Sequence, residues 1–167
     1  MKGSSWFSDW FALEDGVISV SLKNLTLVLS IIVTAVLLGM LYQSCTDGSV
    51  ECNSTVWPMI SDIICLHFYD RIFMFLSTFF MLGVMQVNMR AYYKKVYGYI
   101  SNSSNDSIFY TGIASCIALP MIGVFDEHDW KTAHYALAGV FFGCFGLYAI
   151  WISQSMYNNK DKFPEEE

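Results

Sequence analysis

The chain has 167 residues, one domain's worth, and a net charge of −6; 54% of it is hydrophobic and only 14% charged. A soluble domain carries about 25% charged residues to solvate its surface, so this composition excludes an ordinary soluble domain. The acidic balance also argues against a nucleic-acid partner.

Residues 1–24 form a polar tail with Asp9, Glu14 and Asp15 and no arginine, which does not fit a cleavable mitochondrial presequence. Leu25–Tyr42 follows, the first of four segments of 18 residues without Asp, Glu, Lys or Arg; the others are Ile72–Met89, Ile108–Phe125 and Tyr135–Ile152. At about 1.5 Å per residue each reaches roughly 27 Å, close to the hydrocarbon core of a bilayer. A segment in lipid must satisfy its own backbone, so each is expected to be a helix. The fold class expected is all-α, an integral membrane four-helix bundle over residues 25–157, with residues 158–167 as an acidic tail. The first span is not read as a signal peptide. It begins late, and Tyr42-Gln43-Ser44-Cys45 offers no small-residue cleavage site.

The first loop carries Cys45 and Cys52, six residues between them, a pair able to form a disulfide in an oxidising compartment. Asn53-Ser54-Thr55 is a glycosylation signal in the same loop. Signals at Asn24, Asn102 and Asn105 fall on the opposite face and are expected to be silent. Asp62, His67, Asp70 and Arg71 precede the second span. The second loop holds Arg90, Lys94 and Lys95, and then the polar run Ser101–Ser107. In the third span Cys116 reads as a packing residue and Pro120 as a kink near the outer end. The third loop brings Asp126, Glu127, His128, Asp129, Lys131 and His134. The fourth span contains Cys144 and a run of small residues, Ala136, Gly139, Gly143 and Gly146. Gly139-x-x-x-Gly143 suits close helix packing, within the bundle before any dimer face.

Lysine and arginine set orientation. One face collects Lys2, Lys23, Arg90, Lys94, Lys95, Lys160 and Lys162, the other only Arg71 and Lys131. Both termini are therefore expected on the cytosolic side, or on the matrix side in a mitochondrial inner membrane. The membrane itself is read as an endomembrane or the plasma membrane, with the mitochondrial inner membrane as the alternative.

The residues that could carry chemistry lie at the non-cytosolic ends of the helices. Asp62, Asp70, Arg71, Asp126 and His134 are expected to meet there, with Arg71 pairing with Asp62 or Asp126 because an unpaired guanidinium at the membrane boundary is costly. In descending order this cluster reads as a structural network, a lipid-headgroup or ligand site, or a metal or acid/base site. No fixed His/Glu metal spacing, nucleophile elbow, phosphate loop or dinucleotide fingerprint is present. No metal, cofactor or catalytic residue is assigned, and the spans contain no Asp, Glu, Lys, Arg or His that would form a proton relay.

Three stretches carry a resemblance. Pro58-Met59-Ile60-Ser61-Asp62, Tyr69-Asp70-Arg71-Ile72-Phe73, and Leu119–Phe125 followed by His134 and Phe141-Phe142-Gly143 are similar to motifs of the DRAM-type family. That family comprises damage-regulated autophagy modulators, GPI-anchor remodelling factors and phosphoinositide-kinase scaffold proteins. The resemblance covers about residues 25–157, shortened to four spans from the family's usual six. It implies a non-enzymatic membrane protein with Asp62, Arg71 and His134 near one luminal site. The first functional expectation is a lipid-associated scaffold or trafficking factor whose partners are membrane lipids and other membrane-protein subunits. An accessory subunit of a large membrane complex, such as a respiratory one, is the alternative. A lipid-remodelling enzyme ranks last.

Overall fold

Two of the long helices begin where a serine side chain replaces a missing backbone partner. Ser21 and Ser101 stand at these N-caps and accept from the amides of Asn24 and Ser104 at 3.4 and 3.2 Å. In this computed structural model, which describes residues 11–14, 17–53, 55, 57–66 and 68–163, those helices are α1 (Leu22–Thr46) and α5 (Asn102–Val124). Between them lie the short α2 (Ile60–Ile64), then α3 (Tyr69–Thr78), a π-helical turn (Phe79–Met85) and α4 (Gln86–Val96) in one continuous rod. The chain ends with α6 (Lys131–Asn158) and a 3-10 turn at Lys160–Lys162. Lys2, Asp9, Asp15, Ser54 and His67, named above, and the end of the acidic tail, residues 164–167, lie outside the described residues.

Four helices are long and apolar enough to cross a membrane: Leu22–Thr46, Tyr69–Val96, Asn102–Val124 and Lys131–Asn158. Three of them contain an 18-residue segment and extend beyond it at both ends; the third helix starts before Ile108 but stops at Val124, one residue short of Phe125. Within the N-terminal tail the chain forms an antiparallel hairpin, β1 (Phe11–Glu14) with β2 (Val17–Val20), in the register Phe11↔Val20 and Glu14↔Val17. The sequence reading had assigned that stretch no structure.

Helix α5 is the centre of the bundle, with 39% of its most apolar window buried, and α1 is its periphery, with 6%. α5 packs mainly on α6 and on the α3–α4 rod, and α1 leans on the rod at the π-turn. Two apolar clusters result. One, towards the face carrying the termini, joins Met81, Met89, Val96, Ile108, Cys116, Tyr148 and Ile152. The other, towards the opposite face, joins Met40, Ile63, Ile64, Phe73 and Ile122. Pro120 is buried in α5, which continues past it to Val124, so the Cys116 carbonyl loses its helical donor. Phe163, after the 3-10 turn, meets the second loop at the terminal face. The Phe163 ring stacks edge-on against Tyr99 at 4.8 Å, and the buried Asn105 donates to the Tyr93 carbonyl at 3.0 Å.

The glycines do not pack where their spacing suggests. A Cβ added at Gly139, Gly143 or Gly146 would meet nothing within 4 Å, so this stripe of α6 faces away from the rest of the chain. The expectation of packing within the bundle is corrected. The close approaches occur at Gly112 and Gly123 of α5, where a Cβ would come within 2.7 Å of Met89 Sδ and 3.0 Å of Phe73 Cδ1. Cys116 is fully buried with its Sγ 3.5 Å from Met89 Sδ, and Cys144 is half-buried.

Candidate functional site

At the face opposite the termini, the first loop folds over the helix ends and forms one side of a mostly apolar, partly open cavity of about 630 Å³. This lies within the roughly 300–1,000 Å³ typical of small-molecule sites. Its walls come from every part of the bundle: Leu41 of α1, Ile64 of α2, Phe73 of α3, Leu119 and Ile122 of α5, and Ala138 and Phe141 of α6. The loop residues Trp57–Ser61 close its mouth.

The mouth is held by local capping. Asp62 is the third residue of α2, and its Oδ2 accepts from the Met59 amide at 2.7 Å. That contact fixes the turn in which Pro58 is buried and sets Ile60 and Ser61 against the cavity. The disulfide Cys45–Cys52 ties the end of α1 to the same loop, with Cα atoms 5.5 Å apart. Asn53 is exposed nearby, its side-chain oxygen accepting from the Thr55 amide and hydroxyl at 2.8 and 2.7 Å.

His134 is the polar group of the cavity wall. It sits one turn into α6 and is 3% exposed. Its Nδ1 lies 2.9 Å from the Phe125 carbonyl oxygen. A carbonyl only accepts, so Nδ1 must carry the proton, and Nε2 is the ring's remaining polar atom for whatever occupies the cavity. Beside it, the Tyr135 hydroxyl donates to Glu127 Oε1. That bond, helped by the Ser61 hydroxyl, holds the Glu127 carboxyl below the usual glutamate range. His128 stands outside this group. It is fully exposed beside Asp129, whose carboxylate at 2.8 Å raises its pKa.

Five residues were expected to form one cluster; the structure distributes them. Asp62 caps α2, and Asp126 Oδ1 accepts from the Asp129 amide at 2.7 Å. Asp70 Oδ1 accepts from the Arg71 amide at 2.6 Å. Arg71 is exposed and forms no ion pair among the described residues, so the expected pairing with Asp62 or Asp126 is corrected. Each carboxylate has a backbone N–H within three residues, and a local bond of that kind orders fewer groups than a contact across the bundle. His134 alone of the five lines the cavity. Ser61 and Tyr135 line the cavity beside it and both bond Glu127, a third-loop acid named above, but no spacing relates Glu127 to Ser61 across the fold. No group of three metal-ligating side chains exists among the described residues.

Over residues 21–165 the sequence matches the family described as Frag1/DRAM/Sfk1/Cwh43P N-terminal domain. No curated protein and no solved structure matches it.

Proposed function

The chain belongs to the Frag1/DRAM/Sfk1/Cwh43P family, and from that premise we propose that it is a non-catalytic, lipid-associated scaffold or trafficking factor that holds a membrane lipid in the cavity below the first loop. The observation that carries this reading is the pairing of an apolar chamber with a single buried polar group, His134. Acyl chains fit the wall of Leu41, Phe73, Leu119 and Phe141, and Nε2 suits a headgroup hydroxyl or amide at the interface. Glu127, bonded to the lining residue Tyr135, and Asp62, bonded to the Met59 amide, stand outside the lining, as does Lys131, so the wall itself carries no carboxylate or ammonium. A neutral headgroup is favoured there over an anionic one.

Catalysis is not part of the proposal. The Nδ1 of His134 is engaged by a backbone carbonyl and Glu127 by Tyr135, and neither bond pairs the imidazole with a nucleophile. The test is photo-crosslinking with a lipid bearing a diazirine on its acyl chain. Labelled peptides should map to Trp57–Ile64 and His134–Phe142. Labelling spread evenly over α1 and α6 would set the proposal aside.

A second reading has its own support. The outward stripe of Gly139, Gly143 and Gly146 leaves a smooth face on α6 suited to a helix of another membrane subunit, as in an accessory component of a larger complex. Gly143→Leu would then disrupt assembly with that subunit while leaving the isolated chain folded.

A further inference from the structure

Four tripeptides in the chain match the acceptor pattern Asn-x-Ser/Thr: Asn24-Leu25-Thr26, Asn53-Ser54-Thr55, Asn102-Ser103-Ser104 and Asn105-Asp106-Ser107. The structure separates them by burial and by face. Asn105 is 1% exposed and donates to the Tyr93 carbonyl at 3.0 Å, so its amide lies inside the bundle. The Thr26 hydroxyl donates to the Leu22 carbonyl and accepts from Asn88 at 2.7 Å, where α1 leans on the α3–α4 rod. Asn102 is exposed, but it opens α5 at the face that carries the termini. Asn53 is exposed at the opposite face, between the end of α1 at Thr46 and the start of α2 at Ile60.

Two further observations single out Asn53. Cys52, the residue before it, is joined to Cys45, and such bonds form and persist in the oxidising compartments through which glycosylated loops pass. A hollow of about 460 Å³ opens beside Asn53, between Leu38 and Tyr42 of α1 and Trp57 of the loop. Tyr42 and Trp57 are 73% and 75% exposed, so a sugar ring has both room and aromatic surface there.

We infer that Asn53 carries an N-linked glycan and that Asn24, Asn102 and Asn105 carry none. The donor is a lipid-linked oligosaccharyl pyrophosphate. Nδ2 of Asn53 bonds to the anomeric carbon as that carbon's bond to the pyrophosphate oxygen breaks; Nδ2 gives up one proton and the lipid pyrophosphate leaves. In the folded loop Nδ2 donates to Glu51 Oε1 at 2.8 Å, and Oδ1 accepts from the Thr55 amide and hydroxyl. Transfer acts on the emerging chain, before these bonds form. The product keeps one N–H able to serve Glu51 and an unchanged Oδ1, so the loop accommodates the modified residue. The modification belongs to the secretory pathway and therefore decides for an endomembrane or the plasma membrane over the mitochondrial inner membrane. It also sets a bulky hydrated group beside Trp57, which lines the chamber as well as this hollow.

The experiment expresses the full chain in eukaryotic cells and compares its gel mobility before and after peptide-N-glycosidase treatment. The wild type should shift by a single glycan, and enzymatic release in heavy-oxygen water should leave labelled aspartate at position 53. Asn53→Gln and Thr55→Ala should abolish the shift, whereas Thr55→Ser, which keeps the acceptor hydroxyl, should retain it. Loss in both of the first two with retention in the third separates the acceptor site from a folding defect. Asn24→Gln, Asn102→Gln and Asn105→Gln should each leave the shift unchanged. An unshifted wild type would overturn the inference. A shift that survives Asn53→Gln and disappears in Asn102→Gln would overturn it too, and with it the orientation of the bundle.

Discussion

Gly112→Ala adds one methyl group at the tightest point of the bundle, where α5 meets α4 and α6. The new Cβ would lie 2.7 Å from Met89 Sδ and 2.8 Å from Tyr148 Cδ2. Met89 is 1% exposed and Tyr148 7%, so neither side chain has open space to move into. Overpacking of this kind costs about 1–3 kcal/mol. Alanine's better helix propensity returns up to about 1 kcal/mol, leaving a net destabilisation of about 1 kcal/mol. For a chain of this size that lowers the melting temperature by about 2–4 °C. Gly143→Ala is the matched control, since its Cβ meets nothing within 4 Å; it keeps the propensity gain without the steric cost. Thermal unfolding of both variants in the same detergent, followed by tryptophan fluorescence, makes the comparison. A Gly112→Ala protein as stable as Gly143→Ala would refute the packing described for α5.

Three other outcomes follow from the loop face. Cys45 and Cys52 should resist maleimide labelling until reduced, and reduction should cost on the order of 2 kcal/mol, the loop-closure value for so short a segment; labelling before reduction would show the pair open. Arg71→Ala should leave stability within about 0.5 kcal/mol, because the side chain is exposed and unpaired among the described residues; a larger loss in thermal unfolding would show a partner. The depressed pKa of Glu127 means that its bond to Tyr135 stabilises the loop above the ordinary glutamate value of 4.5 and is lost as pH falls through the lower, folded value. Protection of third-loop amides, corrected for the intrinsic exchange rate, should therefore fall on acidification in the wild type and lose that dependence in Tyr135→Phe. Unchanged acid sensitivity in the variant would assign it elsewhere.

The spans and the family were legible because both rest on local signals. Eighteen uncharged apolar residues mean a helix in lipid wherever they occur, and Pro58–Asp62 is a contiguous motif. The partners of side chains were not legible. Asp62 and Asp126 each have an amide within three residues and the Arg71 guanidinium farther along the chain, and the sequence does not say that the near one wins. The glycines show the same limit. Spacing identifies Gly139 and Gly143 as one face of α6 but not what lies opposite, whereas Gly112 and Gly123, with no paired motif, meet Met89 and Phe73. The hairpin has a local sequence signal, Asp15-Gly16 between two short apolar runs. The cavity depends on how five separate segments converge, which no single stretch encodes.

The central claim is that the chamber beneath the first loop holds a lipid, and filling it is the most direct test. Ala138 lines the chamber, while Val140, on the same helix, is exposed and outside it. Ala138→Trp and Val140→Trp therefore add the same bulk inside and outside. Native mass spectrometry of the purified proteins should show bound lipid retained by the wild type and Val140→Trp but lost from Ala138→Trp, whose melting temperature should not fall. Equal lipid retention in a folded Ala138→Trp protein would contradict the account.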